Sequence, residues 1–217
     1  MSDDPETARQ IAELARDHRP LLVLDVDDVL LEFVRPFPKY LESQGYTLKF
    51  GSFRLTGNVA ERETGRIAEA HEVSALLDSF FAVQAEWQTM IAGAAEALAG
   101  FGDAAEIAML TAMPHRHRAT RHHHLDALGL PYPLLTTEMA KGPAIASLRG
   151  LHARPVAFVD DLPPNLASAR KSVADAHLFH LMSDNTLRSL LPAPPADVVV
   201  VEDWPDAAPR IATALGL

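Results

Sequence analysis

Six polar residues stand at the ends of apolar segments or at the start of a helical pattern, and their types suit one kind of chemistry. They are Asp25, Asp27, Thr111, Lys141, Asp160 and Asp161. Carboxylates bind hard divalent cations, and they act as nucleophiles or as general acids and bases. A hydroxyl and an ammonium suit the oxygens of a phosphate group. Ionised carboxylates are costly in an apolar setting unless something pairs with them, so their meeting would indicate a bound cation such as Mg²⁺.

The elements that must position these residues are buried strands. Residues 21–24 form an unbroken apolar run that ends at Asp25, which is typical of a strand buried on both faces of a parallel sheet. The apolar runs 106–111 and 155–160 also end in polar residues, and Lys141 opens a predicted helix between them. Because the carboxyl ends of parallel strands lie on one edge of a sheet, we expect these side chains to meet there. Taken alone, the first run is equally consistent with a strand that ends in an Asp-rich turn.

Predicted strands alternate with predicted helices along most of the sequence, which indicates an α/β fold with a doubly wound parallel sheet. The first helix is predicted over 5–18, with Ile11, Leu14 and Ala15 at helical spacing. Further strands are predicted at 134–137, 177–181 and 198–201, and further helices at 94–98, 115–128, 141–148, 165–173 and 206–217.

The segment 35–88 differs in composition from the rest of the chain. Aromatic residues are frequent, apolar residues are spaced for helices, and no alternation of strands and helices is visible. We therefore predict a mostly helical insert at 35–88 in a core made of 1–34 and 89–217; the alternative is that the segment completes the main core. Within it, residues 45–57 are richer in Gly and β-forming residues, and they predict an irregular turn or a short hairpin.

Composition limits the classes of partner and compartment. The chain has 217 residues and a formal net charge of −10, which argues against nucleic acid and anionic membranes as partners. No apolar run approaches the length of a membrane span, and the acidic N-terminus does not resemble a signal peptide. The absence of Cys fits a reducing compartment, so we expect a cytoplasmic protein. The sequence does not predict an oligomeric state.

The order of these motifs resembles that of the haloacid dehalogenase-like (HAD) superfamily of phosphohydrolases. The motifs that carry the resemblance are Asp25-Val26-Asp27-Asp28-Val29, Leu110-Thr111, Lys141 and Val159-Asp160-Asp161. The resemblance covers the whole chain outside the insert, and it implies a Rossmann-like core with 35–88 as a cap domain. One departure follows Lys141, where Gly142-Pro143 stands in place of the Pro that many members have directly after the Lys.

The resemblance also implies a role for each motif residue. Asp25 would be the nucleophile, and Asp27 would be the general acid and base. Thr111 and the backbone amide of Ala112 would bind phosphate oxygens, and Lys141 would pair with Asp25 and the phosphate. Because the founding dehalogenases of the family lack the second Asp, Asp27 favours phosphoryl transfer over cleavage of a carbon–halogen bond.

The implied metal is Mg²⁺, held by Asp25, by the backbone carbonyl of Asp27, and by the acidic pair Asp160 and Asp161. Either member of the pair is a candidate for the direct ligand, and we favour Asp160. Relatives often have another Asp where this chain has Asn165, so the assignment within the pair stays open.

Residues 115–124 are rich in His and Arg. No two of these His are three or four residues apart, which is the spacing that brings side chains together on a helix, so we expect a solvated helix face rather than a metal site. The alternative is that Arg116 or His115 faces the cleft and contacts an anionic substrate.

These observations predict an Mg²⁺-dependent phosphohydrolase that acts on a small phosphorylated metabolite through an aspartyl-phosphate. The alternatives are a phosphomutase or phosphonate hydrolase on the same core, or a binding module that keeps the fold without catalysis.

Overall fold

A six-stranded parallel sheet forms the centre of the fold. The computed structural model describes residues 4–15, 17–49, 51–151, 153–182, 184 and 187–217. The strands are β1 (Leu21–Leu24), β2 (Tyr46–Leu48), β3 (Val59–Glu61), β4 (Glu106–Ala112), β5 (Leu134–Thr137), β6 (Val156–Asp160), β7 (His177–Leu181) and β8 (Val199–Val201). Six of them form the central sheet in the order β5–β4–β1–β6–β7–β8, with every neighbouring pair parallel.

The strand order reverses beside β1. From β1 the chain builds outward through β4 and β5 on one side, then crosses to build β6, β7 and β8 on the other. This is a doubly wound sheet, and the predicted α/β fold is confirmed. In open sheets of this kind, ligands bind beyond the carboxyl ends of the strands where the order reverses. Asp25 directly follows β1 at that point.

Helices cover both faces of the sheet. They are α1 (Pro5–Ala12), α2 (Pro36–Ser43), α3 (Ala70–Ala82), α4 (Ala94–Phe101), α5 (Arg118–Ala127), α6 (Lys141–Arg149), α7 (Pro163–Ser172) and α8 (Trp204–Leu215). Leu22 and Leu24 of β1 pack in a core with α4, α5 and α8, and Leu21 and Val23 pack in a second core with α6 and α7. The alternating sides explain why β1 reads as a continuous apolar run. None of the described helices is long and apolar enough to cross a membrane.

Close packing of α6 against α7 explains the glycine that follows Lys141. A Cβ on Gly142 would lie 2.1 Å from the backbone oxygen of Ser168, which is far inside van der Waals contact. The Gly142 amide instead donates to the Ser168 hydroxyl at 3.1 Å. Pro143 lies in the first turn of α6, where a missing N–H costs no helical hydrogen bond. The departure from Lys-Pro therefore leaves Lys141 at the start of the helix.

The segment 35–88 contains a cluster of aromatic residues apart from the two cores of the sheet. Phe37, Tyr40, Phe80 and Phe81 are buried together in it, and Met113 joins them from the loop after β4. Strands β2 and β3 pair antiparallel, so the short hairpin expected near residues 45–57 is present, with its second strand just beyond that range. The division of the chain at residues 34 and 89 into a core and a cap stays a prediction.

Helix α1 differs from its prediction in length and in the face that it buries. The helix ends at Ala12 rather than at residue 18, and its buried residues are the polar Thr7 and Gln10. The reason is hydrogen bonding to Thr136 at the end of β5. The Thr7 hydroxyl donates to its backbone oxygen at 2.7 Å, and the Gln10 side-chain oxygen accepts from its amide at 2.9 Å. Of the apolar face expected at this helix, Ile11 and Leu14 are only partly buried and Ala15 is exposed.

Candidate active site

Lys141 joins the carboxyl ends of β1 and β6. Its Nζ lies 2.7 Å from Oδ1 of Asp25 and 2.7 Å from Oδ2 of Asp160. Lys141 and Asp160 are both fully buried, and Asp25 is 5% exposed. Burial alone would lower the pKa of Lys141, but the attraction of Asp160 and Asp25 outweighs it and raises the pKa. The ammonium is therefore a charged bridge between two strands that are distant in sequence.

Three carboxylates meet beside this ammonium. Asp25, Asp160 and Asp161 each offer an oxygen, and these oxygens all lie within 4.8 Å of one another. Burial raises the pKa of Asp25 to about 7, with Asp160 and Asp27 adding to the shift and Lys141 opposing it. Burial, reinforced by Asp160 and Asp25, raises the pKa of Asp161 well above its usual range. One ammonium does not balance three ionised carboxylates, so the cluster either holds protons, as the raised pKa values indicate, or binds a cation. Oxygen ligands of this kind suit Mg²⁺.

The two members of the acidic pair have different surroundings. Asp160 uses both of its oxygens within the protein: Oδ1 accepts from the Leu162 amide at 2.8 Å and from the Asn165 side chain at 3.0 Å, and Oδ2 accepts from Lys141. The side-chain oxygens of Asp161 have no hydrogen bond within the described residues, whereas its backbone oxygen pairs with His180 at 2.7 Å. The preference for Asp160 as a direct metal ligand, drawn from the sequence, stays untested; these contacts make Asp161 the better candidate, because its side-chain oxygens are the ones left free.

Asp27 is placed away from the acidic cluster. Its Oδ1 accepts from Nε2 of Gln88 at 2.7 Å and from Nη1 of Arg121 at 3.1 Å. The side chain is 20% exposed, which makes Asp27 the most accessible of the acidic site residues. The next residue, Asp28, is buried at a φ of 56°, which is unusual for a residue with a side chain.

Thr111 lies on β4, the strand that pairs with β1 on the side opposite β6. It is fully buried, and its hydroxyl has no hydrogen-bond partner within the described part of the chain. Buried hydroxyls are normally paired, so the free hydroxyl fits a ligand oxygen. Ala112 is the last residue of β4 and is exposed. The structure thus places Asp25, Lys141, Asp160 and Asp161 in direct contact or close together, and Thr111 on the neighbouring strand.

Comparison of whole structures shows which known proteins share this architecture. A haloacid dehalogenase-like protein from Burkholderia xenovorans LB400 matches with a TM-score of 0.62 and 16% identity over 92% of this chain and 99% of that one. YfnB from Bacillus subtilis, solved bound to magnesium, matches at 0.58 and 14% over 93% and 100%. The D,D-heptose 1,7-bisphosphate phosphatase from Burkholderia thailandensis matches at 0.50 and 15% over 90% and 99%.

The chain has the haloacid dehalogenase-like fold. No protein-family model and no curated protein matches its sequence. The fold that the four motifs implied is confirmed by these solved structures, of which the three named are 14–16% identical to this chain. At that identity the likeness establishes the fold, and the chemistry must be argued from the residues.

Within this HAD-like fold, the His- and Arg-rich segment begins with a short 3₁₀ turn at 115–117, and α5 follows. Arg116 is 62% exposed, and it pairs with Asp78 of α3, as does His117. The ring of His115 contacts Asp4 at 3.1 Å and the Thr136 hydroxyl at 2.7 Å. The structure therefore does not bring Arg116 or His115 to the acidic cluster, and their role in binding substrate stays a prediction.

The expected solvated face of this segment is wrong for three residues, because His117, Arg121 and His124 are buried. Arg121 and His124 share a helical face with the buried Leu125. Arg121 is the cation that contacts Asp27, although the composition of the segment predicted a solvated residue. The spacing of Arg121, His124 and Leu125 could have indicated a shared buried face, because residues three and four apart lie on the same side of a helix.

Proposed function

We propose that the protein is an Mg²⁺-dependent phosphohydrolase that acts on a small phosphorylated metabolite through an aspartyl-phosphate at Asp25. The observation that carries the proposal is the Lys141 bridge between Asp25 and Asp160, with Asp161 adjacent, at the sheet edge where HAD-like folds accommodate ligands. Two of the structural neighbours support it: one was solved with magnesium, and another is a bisphosphate phosphatase.

The chemistry proceeds in two steps. A carboxylate oxygen of Asp25 attacks phosphorus, the bond from phosphorus to the leaving oxygen breaks, and protonated Asp27 gives its proton to that oxygen. Water then attacks the phosphorus of the aspartyl-phosphate, and Asp27 takes a proton from the water. The bond from phosphorus to Asp25 breaks, which releases inorganic phosphate and restores the Asp25 carboxylate.

Other residues of the chain bind and orient the phosphoryl group. The Thr111 hydroxyl and the Ala112 amide would donate hydrogen bonds to its oxygens, and Lys141 would attract them while it holds Asp25 in place. Asp160 would act through Lys141, since both of its oxygens are already engaged by protein donors. Its role is to fix the position of the ammonium.

The residues that would hold Mg²⁺ are Asp25, Asp161 and the backbone carbonyl of Asp27. When bound, the ion neutralises charge on the phosphoryl oxygens and reduces their repulsion of the attacking carboxylate. The fit rests on the donor set, because every side-chain donor is a hard oxygen and the charge of Lys141 does not balance the cluster.

A cap formed by 35–88 would control access to the site. Asp25, Thr111, Lys141 and Asp160 are all at most 5% exposed, so little of these side chains is open to a substrate in this conformation. The insert is the candidate for a segment that moves, because its aromatic cluster is separate from the cores of the sheet. We propose that the insert opens to admit substrate and closes to exclude water while the aspartyl-phosphate forms.

The test is hydrolysis of an aryl phosphate with Mg²⁺ by the parent protein, by Asp25→Asn, and by the matched control Asp103→Asn, which changes an exposed carboxylate far from β1 in sequence. The parent and Asp103→Asn should release phosphate, and Asp25→Asn should be inactive while still folded. Equal turnover by Asp25→Asn would refute the nucleophile. A folded parent protein that hydrolyses no phosphate ester would support the alternative of a non-catalytic binding module.

A further inference from the structure

Arg121 is a buried cation with one charged partner among the described residues. It is 0% exposed, its Nη1 donates to Oδ1 of Asp27 at 3.1 Å, and its guanidinium carbon lies 5.4 Å from the centre of the Phe81 ring. That carboxylate oxygen also accepts from Gln88. A buried guanidinium is stable when its hydrogen-bond donors are satisfied, and a single shared oxygen uses few of the five that it carries.

The unused donors of Arg121 lie on one edge of the guanidinium. Both Nε and Nη2 are buried, and neither has a hydrogen-bond partner within the described residues. These two nitrogens form the edge that binds a carboxylate or a phosphate through two parallel hydrogen bonds. Leaving such an edge unpaired costs free energy, since the donors have lost water and gained nothing. Nε and Nη2 of Arg121 therefore form a two-pronged edge that suits an oxyanion and that no described residue occupies; this edge is called the fork below.

The position of Arg121 beside Asp27 indicates which part of a substrate the fork would contact. Arg121 contacts Asp27, the most accessible acidic side chain of the site, and it has no contact with the cluster of Asp25, Asp160 and Asp161. Under the proposed function, Asp27 protonates the leaving oxygen, so a group beside Asp27 lies on the leaving-group side of the phosphoryl group. On its other side the guanidinium carbon of Arg121 lies over the ring of Phe81 in segment 35–88. Because Arg121 is fully buried, the residues packed around it would have to shift before an anion could reach Nε and Nη2.

We propose that Arg121 determines specificity by binding an oxyanion of the leaving group, a carboxylate or a second phosphate, through Nε and Nη2. This inference rests on the proposed function, and it narrows the substrate class to phosphate esters whose alcohol carries a further acidic group. Asp27 would then lie between the reacting phosphoryl group and the second anion, held by Nη1 of the same guanidinium.

A structural alternative makes a different prediction. The side-chain oxygens of Gln84 and Gln88 are also buried, with no hydrogen-bond partner in the described part of the chain, and α5 packs against the 3₁₀ turn at 84–86. A trapped water could link these oxygens to Arg121 and satisfy all of them. In that case Arg121 would support the packing of the insert and would not distinguish acidic from neutral substrates.

The experiment compares three aryl phosphates that differ in one substituent: 4-carbamoylphenyl phosphate, 4-carboxyphenyl phosphate and benzene-1,4-diyl bisphosphate. The parent protein should show a kcat/KM for at least one anionic ester that exceeds the value for the neutral amide by roughly 10- to 100-fold, mainly through KM. A preference for the carboxylate or for the second phosphate identifies which anion the fork binds. No preference in the parent would overturn the inference.

Variants then assign the preference to the fork. Arg121→Lys keeps the charge but loses the two-pronged edge, so the preference should disappear; if this protein does not fold, Arg121→Gln makes the same test. The matched control is Arg118→Lys on the same helix, whose guanidinium contacts the Leu134 backbone oxygen and Glu13. Arg118→Lys should keep the preference. A preference that survives in the Arg121 variant would show that another group binds the anion.

The inference and the proposed function fail in distinguishable ways. If the parent hydrolyses none of the three esters, the proposed phosphatase activity is wrong. Calorimetric titration with 4-hydroxybenzoate and 4-hydroxybenzamide, the dephosphorylated products, then tests the fork alone. Tighter binding of the acid that is lost in Arg121→Lys supports the fork without any turnover, and equal binding of acid and amide overturns it.

Discussion

Replacing Lys141 by Met should destabilise the protein strongly, because it removes the one cation that separates two buried carboxylates. Met has nearly the same length and no charge, so the change creates little empty space. Asp25 and Asp160 each lose a partner at 2.7 Å in a place where Lys141 and Asp160 are fully buried. Removing one member of a buried ion pair costs about 3–5 kcal/mol, against the 5–15 kcal/mol that typically stabilises a domain.

The loss should depend on pH with a definite sign. Burial raises the pKa of Asp25 to about 7, and Lys141 opposes that shift. Without the ammonium, the pKa of Asp25 should therefore rise further. A carboxyl whose pKa is higher in the folded state binds more protons when folded. Such a group stabilises the folded state most at a pH below its unfolded pKa near 3.8. This contribution to stability is lost as the pH rises through the folded pKa. Lys141→Met should accordingly be least impaired near pH 5 and most impaired near pH 8.

The assay is urea unfolding of the parent and of Lys141→Met at pH 5 and pH 8, with chelator present so that no cation substitutes for the ammonium. The double variant Lys141→Met/Asp160→Asn should recover part of the lost stability at pH 8, because it removes one of the stranded charges. A loss below about 1 kcal/mol at pH 8, the range of exposed pairs, would refute the description of the bridge as a buried ion pair. A loss of stability that increases toward acidic pH would also refute this description.

Three further predictions follow from the site. Mg²⁺ should support turnover and Ca²⁺ should suppress it, because Ca²⁺ takes more oxygen ligands in looser geometry and would engage both oxygens of Asp25; undiminished turnover after chelation would exclude the metal. Asp27→Asn should slow turnover by about 10²–10⁴-fold and accumulate an adduct on Asp25 with an aryl phosphate, detected by mass spectrometry as one equivalent of bound phosphate. Asp28→Ala should destabilise the protein by about 2–4 kcal/mol in urea unfolding, because the Asp28 carboxylate accepts hydrogen bonds from the amides of Phe33 and Val34. The control Asp28→Asn should be less destabilised, because Asn keeps an acceptor oxygen for both amides and tolerates the positive φ.

The sequence predicted the parts of the fold that depend on local pattern. The apolar runs at β1, β4 and β6 are buried along their length, and each ends in or is followed by polar residues at the carboxyl end of the strand. Because the carboxyl ends of parallel strands lie at one edge of a sheet, Asp25, Lys141 and Asp160 could be grouped from the sequence alone. The buried polar face of α1 was not predictable in this way, because Thr7 and Gln10 are buried by hydrogen bonds to Thr136, far along the chain.

The different surroundings of Asp160 and Asp161 show the same limit at the level of single atoms. In the sequence they are adjacent and identical, and only the partners of their oxygens separate them. Asp160 is engaged by Lys141, by the Leu162 amide and by Asn165, while the side chain of Asp161 has no hydrogen bond within the described residues.

Arg121 shows both limits, since its burial depends on residues distant in sequence and its role depends on the partners of single atoms. A charged residue in a run of His and Arg reads as solvated, because burying a lone cation is costly. Its burial becomes intelligible only when Asp27 and the ring of Phe81, which come from different parts of the chain, are seen on either side of it. Even these contacts leave Nε and Nη2 unpaired among the described residues. Under the proposed function, phosphate and metal account for the other site residues and Asp27 is the general acid. The unpaired nitrogens beside Asp27 are then where substrate selectivity would be added without altering the chemistry at Asp25.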